Sequence, residues 1–193
     1  MKITTLLIAI LLFSVSSLIA QTKPAELMSV PSLDLNRYSG KWYEIAKYPN
    51  RFQKQCVGNT TANYTLKPNG RIEVANECLK KDGTTERAVG EAKIPNKSNN
   101  AKLKVRFAPK ALSFLPFVWA NYWVIELADD YSYAVIGEPG RDYFWILARK
   151  PTIDDATYQN ILRRAEAKGF QPARIEKTPQ NVEALKGSVI VKN

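Results

Sequence analysis

Cys56 and Cys78 are the side chains best suited to covalent or metal chemistry in this 193-residue chain, which contains no histidine. A metal site needs more ligands than two thiols, and the commonest general base is missing. Thiols in an oxidising compartment tend to pair, and closing this loop contributes about 3 kcal/mol in the chain-entropy model. We expect a Cys56–Cys78 disulfide, with two free thiols as the alternative, and no catalytic residue, metal site or cofactor.

Trp42 and Arg149 form a second pair with specific chemistry, although they lie far apart in the chain. A guanidinium stacked on an indole ring is worth about 0.5–2 kcal/mol, depending on how far the pair is desolvated. Such a contact performs no reaction. If the fold brings Trp42 and Arg149 together, their contact would close one end of the folded domain.

The N-terminus predicts export. An almost uncharged run from Ile3 to Ala20 is typical of a secretory signal peptide over residues 1–20. A membrane anchor is the alternative, but the strictly apolar part, Leu6–Phe13, is shorter than the roughly 20 residues that span a bilayer. We expect a soluble periplasmic or extracellular protein. Because neither cysteine lies near the cleavage point, any association with an outer membrane would not use a lipid anchor.

The chain is strongly basic, with 28 Lys and Arg against 18 Asp and Glu and a formal net charge of +10. Such a charge suits nucleic acid or an anionic membrane surface. The basic residues are nevertheless scattered, and no nucleic-acid motif accompanies them. A solvated basic surface is the favoured interpretation, transient contact with an anionic membrane is the alternative, and no nucleic-acid partner is expected.

Short segments of period-two pattern, separated by turn signals, fill the chain from Lys41 onward. In Lys102–Phe107 apolar and basic residues alternate without exception, so one side of that sheet faces water. Eight antiparallel strands remove their edges by closing, and we predict an all-β, eight-stranded, up-and-down antiparallel barrel. The predicted strands are Lys41–Lys47, Asn63–Lys67, Arg71–Cys78, Arg87–Ile94, Lys102–Phe107, Tyr122–Leu127, Tyr133–Gly137 and Tyr143–Ala148.

A helix is predicted over Asp154–Lys168, where apolar residues recur at helical spacing and Gly169 follows as a stop. It should pack outside the barrel, against the last strands. The predicted organisation is an N-terminal lead-in over 21–36, the barrel with its helix over 37–180, a short last strand near Ala173–Glu176, and a tail over 181–193.

The Asn69-Gly70 pair supplies the positive φ angles of a tight hairpin turn between the strands at Asn63–Lys67 and Arg71–Cys78. Cys56 and Cys78 then fall on opposing strands, a few residues out of simple register. A bulge would absorb that difference, and the disulfide would hold the far end of the hairpin together.

Three segments, in order and at the spacing of one barrel, resemble the lipocalin family. Gly40-Lys41-Trp42 resembles its Gly-x-Trp signature, Asp129–Tyr133 with Tyr131 resembles the second conserved segment, and Trp145–Pro151 resembles the third. The similarity is greatest to the apolipoprotein D-like branch, with bacterial and temperature-induced plant lipocalins, and covers Leu33 to Gln180. It implies that Arg149 packs over Trp42 at the closed end. It also implies scaffold roles for Gly40, Trp42, Tyr131 and Arg149.

The family implies a ligand cavity inside the barrel. Resemblance to apolipoprotein D places Tyr64, Asn76 and Trp123 in the pocket, and alternation adds their neighbours. A solid core is the alternative. The predicted ligand-binding residues are Tyr64, Ile72, Val74, Asn76, Leu103, Val105, Phe107, Phe114, Phe117, Trp123, Ile125, Tyr143, Trp145 and Leu147.

The connection Ala108–Trp119 is unusually apolar and is predicted to lie at the open mouth, among cations on the rim. Phe114 and Phe117 in this loop would gate the ligand, contact a membrane or form a dimer contact. Packing of the loop onto its own barrel is the alternative.

The leading hypothesis is a carrier of a small lipophilic ligand, such as a fatty acid or lysophospholipid, acting as a monomer or weak dimer. A second is a peripheral membrane-surface protein that uses the 108–119 loop. An enzyme is the third, because a few lipocalins are enzymes, but the absence of histidine and the expected disulfide argue against it.

Overall fold

The computed structural model describes residues 25–185 and 188–191, and the side chains up to residue 182. The predicted signal peptide over 1–20 and the first residues of the lead-in lie outside the described residues, as do parts of the predicted tail. The described part of the lead-in ends in a single turn of helix, α1 (Leu35–Tyr38), capped by the Asp34 carboxylate.

Eight strands form a closed antiparallel barrel, as predicted. Each strand pairs with the next in sequence, and the first closes the barrel by pairing with both the second and the eighth. The strands are β1 (Gly40–Lys47), β2 (Cys56–Leu66), β3 (Ile72–Lys80), β4 (Thr85–Lys93), β5 (Lys102–Arg106), β6 (Ala120–Leu127), β7 (Tyr133–Gly137) and β8 (Phe144–Ala148).

The strands bury two separate apolar clusters, one inside the barrel and one outside it. In β8, Leu147 belongs to the interior cluster, whereas Phe144 and Ile146 belong to the outer one. This explains why β8 is apolar on both faces: one face lines the barrel and the other is covered by a helix.

That helix is α2 (Asp155–Ala167), and it lies against the outer cluster as predicted. The Asp154 side chain accepts a hydrogen bond from the Thr157 backbone N–H at 2.8 Å, which caps the first turn. Tyr158, Ile161 and Ala165 are buried at helical spacing. Their burial against β7 and β8 fixes the helix on the wall.

The predicted last strand near Ala173–Glu176 is displaced. Pro172–Arg174 forms a 3-10 turn instead, and β9 is limited to Glu176–Lys177, which pairs with the end of β1. Proline cannot donate to a sheet ladder, which accounts for the turn. The chain then runs on into β10 (Val182–Leu185), paired with β11 (Ser188–Val191).

The segment after β9 fills the gap where β1 and β2 diverge. Asn59 N–H donates to the Pro179 carbonyl at 2.7 Å. At Gly58, an added Cβ would lie 2.5 Å from Val182 Cγ2 and 2.6 Å from the Pro179 oxygen, so only glycine permits this approach. The C-terminal segment therefore helps to close the barrel wall near its open end.

The predicted disulfide is present, with Cα atoms of Cys56 and Cys78 5.6 Å apart. The β2–β3 register shifts between Cys56 and Gly58 and again before Thr61, which is the irregularity that the hairpin count required. The cross-link holds the start of β2 to the end of β3, at the open end of the barrel.

Candidate ligand site inside the barrel

A cation–π contact between Arg149 and Trp42 forms the closed end of the barrel. The Arg149 guanidinium lies 3.8 Å from the Trp42 ring centroid. It also donates to the carbonyls of Lys41 and Ser39, each at 2.9 Å, and to that of Arg37. Trp42 is fully buried and its indole N–H donates to the Tyr38 carbonyl at 2.8 Å. With three of its five N–H groups held by backbone carbonyls, Arg149 forms the floor of the barrel.

Two predicted scaffold residues stand beside this floor. Gly40 has φ +91°, a conformation that favours glycine, and an added Cβ would lie 3.5 Å from Arg149 NH1. The Tyr131 hydroxyl accepts from the Asp34 backbone N–H at 2.9 Å, and Arg37 stacks on the Tyr131 ring at 3.9 Å. These contacts fasten the lead-in across the closed end.

Above the floor, eight side chains enclose a small cavity. Its volume is about 10 Å³, room for about one water molecule. A larger ligand must therefore displace interior side chains. Five of these side chains are predicted ligand-binding residues: Tyr64, Ile72, Val74, Leu103 and Val105. The other three are Tyr38, Ala92 and Tyr122.

Three tyrosines form a hydroxyl chain in this cavity. The Tyr122 hydroxyl lies 2.7 Å from the hydroxyls of both Tyr38 and Tyr64. Burial raises the pKa of Tyr64 to about 12 and the pKa values of Tyr38 and Tyr122 well above 10.0. All three phenols stay protonated at neutral pH, so the apolar cavity keeps a neutral polar group that can donate or accept.

Four more predicted residues lie on or next to β3 and β8. Leu147 is buried in the interior cluster, and Trp145 packs against it while stacking on Tyr143 with centroids 5.9 Å apart. Asn76 lies opposite Ala62 on β3, and its side-chain oxygen is buried without a hydrogen-bond partner. An unpaired acceptor inside a barrel leaves one hydrogen bond for a ligand to complete.

The predicted placement of Trp123 and Ile125 in the cavity is wrong. Both pack in the outer cluster beneath α2, and Lys102 lies over the Trp123 ring at 4.2 Å. The β6–β7 register shifts between Val124 and Glu126. Leu127, after the bulge, packs against the interior cluster. Because the bulge adds one residue, the residues before it that are an even number of positions from Leu127 face outward instead of inward.

A buried carboxyl network at Glu44 was missed in the sequence analysis. Thr178 Oγ1 and Gln53 Nε2 each donate to the Glu44 carboxyl at 2.6 Å, and the Trp145 indole N–H donates to Gln53 Oε1 at 3.1 Å. Burial raises the pKa of Glu44, against the opposing effects of Thr178, Gln53 and Lys47. The period-two count from Trp42 places Glu44 inward, and a carboxyl on that face was the available signal.

The open mouth exposes large apolar side chains. Phe114 and Phe117 are 77% and 80% exposed, on a loop that contains the 3-10 turns Lys110–Leu112 and Pro116–Val118. The loop is held by the Trp119 indole N–H, which donates to the Ser113 carbonyl at 2.8 Å. The loop therefore does not bury these two phenylalanines in its own barrel.

Over residues 25–185 and 188–191, no cluster of metal-binding side chains is present. In the same ranges, no helix has the length and apolar character needed to cross a membrane.

Comparison with known proteins agrees with this geometry. The chain is 41% identical to temperature-induced lipocalin-1 of Arabidopsis thaliana, over 83% of this chain and 86% of the relative. It is 36% identical to outer membrane lipoprotein Blc of Escherichia coli (strain K12), over 84% of this chain and 88% of the relative. It is 42% identical to apolipoprotein D of Rattus norvegicus, over 65% of this chain and 66% of the relative.

Among solved structures, insecticyanin from the tobacco hornworm Manduca sexta matches with a TM-score of 0.61 and 21% identity, over 81% of this chain and 85% of that one. This likeness concerns the fold alone. The family model for the lipocalin-like domain matches residues 33–180, the span that holds the floor, the barrel and the outer helix. On that match, and on relatives more than one third identical that are covered almost end to end, the chain belongs to the lipocalin family.

Proposed function

We propose that the protein binds, stores or transports a small hydrophobic ligand in the barrel interior, and that it is not an enzyme. The observation that carries this proposal is the closed apolar interior, sealed at one end by Arg149 on Trp42 and flanked at the other by exposed aromatic residues. Lipocalins generally bind or transport small hydrophobic molecules. The disulfide supports the non-enzymatic role because it removes both cysteines as nucleophiles.

The interior favours an acyl chain. Each buried CH₂ group contributes about 0.8 kcal/mol, and the cavity wall is built of aliphatic side chains with three tyrosine hydroxyls. A flexible chain can enter by displacing partly buried side chains, such as Val105, Tyr122 and Trp145, one at a time. A fatty acid or lysophospholipid fits this description, and the cationic rim suits its anionic head.

Export completes the proposal. A disulfide persists in oxidising compartments, and one relative is named an outer membrane lipoprotein. A periplasmic or extracellular carrier would meet its lipid ligands there.

The test is ligand binding by purified protein. Native mass spectrometry with lipid extraction identifies any bound lipid, and quenching of tryptophan fluorescence by added fatty acid follows binding after delipidation. Ala92→Leu adds bulk to the cavity wall and is expected to weaken fatty acid binding. Ala156→Leu, on the exposed first turn of α2, is the matched control. No lipid recovered and no quenching, or equal binding by both variants, would contradict the interior site.

A second candidate function is supported by the exposure of Phe114 and Phe117: attachment to an anionic membrane surface through the mouth loop. Replacing both with Ser is expected to abolish sedimentation with phosphatidylglycerol vesicles while leaving fatty acid binding unchanged. The folded protein should be almost unaffected, because exposed substitutions usually change stability by less than about 0.5 kcal/mol. Unchanged vesicle binding would remove this candidate.

A further inference from the structure

We propose a second ligand site in the barrel wall, near the open end, that binds the anionic head of an amphiphile. It lies where β4 and β5 separate. The two strands pair only over Glu91–Lys93, whereas Thr85–Gly90 pair with β3 alone within the part of the chain that the structure describes. The barrel wall has a groove at this point, between the free edge of β4 and the chain that follows β5.

The groove is lined by both apolar and charged side chains and has a volume of about 380 Å³, within the range of small-molecule sites. Val89 and Phe107 are 51% and 44% exposed, large fractions for apolar side chains, and Pro109 continues the wall. At Gly90 an added Cβ would lie 2.6 Å from the Arg106 oxygen and 2.7 Å from the Phe107 ring, so glycine permits this close wall.

Arg106, Glu91 and Lys110 supply the polar part of the groove, and Arg106 is the group that would bind the anionic head. Its side chain is only 5% exposed, yet its nearest carboxylate oxygen, on Glu91, is 3.7 Å from NH2. NH1 donates to the Ala108 carbonyl, and the Nε–H has no hydrogen-bond partner. A buried donor without an acceptor is costly, and an anion that supplies one recovers that cost.

The charge around Arg106 is also unbalanced. Glu91 is shared with Arg71, whose NH1 lies 3.5 Å away and also lacks a hydrogen bond. Lys93 lies 4.0 Å from the centroid of the Trp119 ring, which both arginines also face. One carboxylate among these cations leaves the region net positive.

Lys110 lines the same groove and adds a cation at its outer end. Apolar walls beside a buried guanidinium and a lysine fit a phosphate or carboxylate carried on an acyl chain. Inorganic phosphate would contact only the cations of the groove, whereas an uncharged amphiphile would contact only its apolar side chains. The groove is a separate site from the interior cavity, so its failure would leave the proposed function standing.

The test uses calorimetric titration of the purified protein with octyl phosphate below its micelle concentration. Inorganic phosphate and octyl glucoside are the comparison probes for head alone and chain alone. Arg106→Gln is expected to weaken octyl phosphate binding about 10-fold or more, the effect of losing a hydrogen bond to a charged group. Lys110→Gln is expected to weaken it about 3-fold, as for a more exposed ion contact.

Lys104→Gln is the matched control for Lys110→Gln. It removes the same charge from the outer face of β5, where Lys104 donates to Asn121, outside the groove. Octyl phosphate affinity is expected to stay unchanged in this variant. Binding inside the barrel would be the same in both lysine variants. The difference in octyl phosphate affinity between Lys104→Gln and Lys110→Gln therefore measures binding in the groove.

Three results would overturn the site. Equal weakening by Lys104→Gln and Lys110→Gln would reduce the effect to overall charge. Inorganic phosphate binding as tightly as octyl phosphate would remove the role of the apolar walls, and an equal loss of octyl glucoside and octyl phosphate affinity in Lys110→Gln would remove the role of the cations. If Arg106→Gln does not fold, as judged by circular dichroism, the Lys110→Gln comparison decides.

Discussion

Arg149 and Arg106 both face a tryptophan ring, at opposite ends of one barrel, yet the fold uses them differently. Arg149 lies 3.8 Å from the Trp42 centroid and donates to three backbone carbonyls. Arg106 lies 5.2 Å from the Trp119 centroid and keeps an unpartnered Nε–H, although it is the more buried of the two. A buried N–H without an acceptor, which Arg106 has, distinguishes this candidate ligand-binding arginine from the structural Arg149.

The largest expected effect is at the closed end. Trp42→Ala removes a fully buried indole and is expected to destabilise the protein by about 3–5 kcal/mol, measured by urea unfolding. Trp123→Ala is a suitable control because Trp123 is only partly buried on the outer face. A similar loss in both variants would show that the floor has no special weight in stability.

The two arginines themselves provide a smaller and sharper comparison. Arg149→Gln is expected to cost about 2–3 kcal/mol, because charged hydrogen bonds and the ring contact are lost. Arg106→Gln is expected to cost about 1 kcal/mol or less, since it breaks fewer bonds and removes an unsatisfied donor. Urea unfolding of both variants measures the difference between their losses of unfolding free energy. The reverse order would mean that Arg106 is the structural residue.

Glu44 offers a third and weaker contrast through pH. Its pKa is raised by burial, so the folded state binds a proton more tightly than the unfolded state. Stability from this group is complete below its usual pKa of 4.5 and is lost as pH rises toward the higher folded value. The slope is at most about 1.4 kcal/mol per pH unit.

Glu44→Gln removes that titration. The difference in unfolding free energy, wild type minus variant, is expected to fall as pH rises above 4.5. Urea unfolding across pH 4 to 8 measures it, and charges elsewhere cancel because both proteins carry them. A difference that is constant with pH would show that Glu44 has the same pKa in both states.

Much of the barrel follows from local pattern. The alternation in Lys102–Phe107 predicted a strand with one wet face, but β5 ends at Arg106. The prediction that Phe107 lines the cavity is wrong: it follows the end of the strand and is 44% exposed. The Asn69-Gly70 turn predicted the β2–β3 hairpin, although β2 begins at Cys56, well before its predicted start at Asn63. A bulged start carries no clean alternation, and this is why the pattern missed it.

The ligand site was predictable only where register is unbroken. Ile72 and Val74 lie in the cavity because β3 alternates without interruption against β4. Trp123 was assigned to the pocket by resemblance and Ile125 by alternation from it, but both lie on the outer face. The extra residue in β6 reverses the alternation only beyond them. The tyrosine chain joins Tyr38, Tyr64 and Tyr122 from three distant elements, a proximity that no local pattern contains.

The barrel, the outer helix, the disulfide and the floor could be predicted from the amino-acid sequence, because periodicity, turn residues and a few signature side chains act locally or recur in fixed order. Which polar groups remain without a hydrogen-bond partner depends on the folded arrangement. Arg106, Asn76 and Glu44 differ from their neighbours by the partners that the fold provides or withholds. The hydrogen-bond partners available to these side chains depend on the closed barrel, because strand pairing and loop packing bring the surrounding residues together.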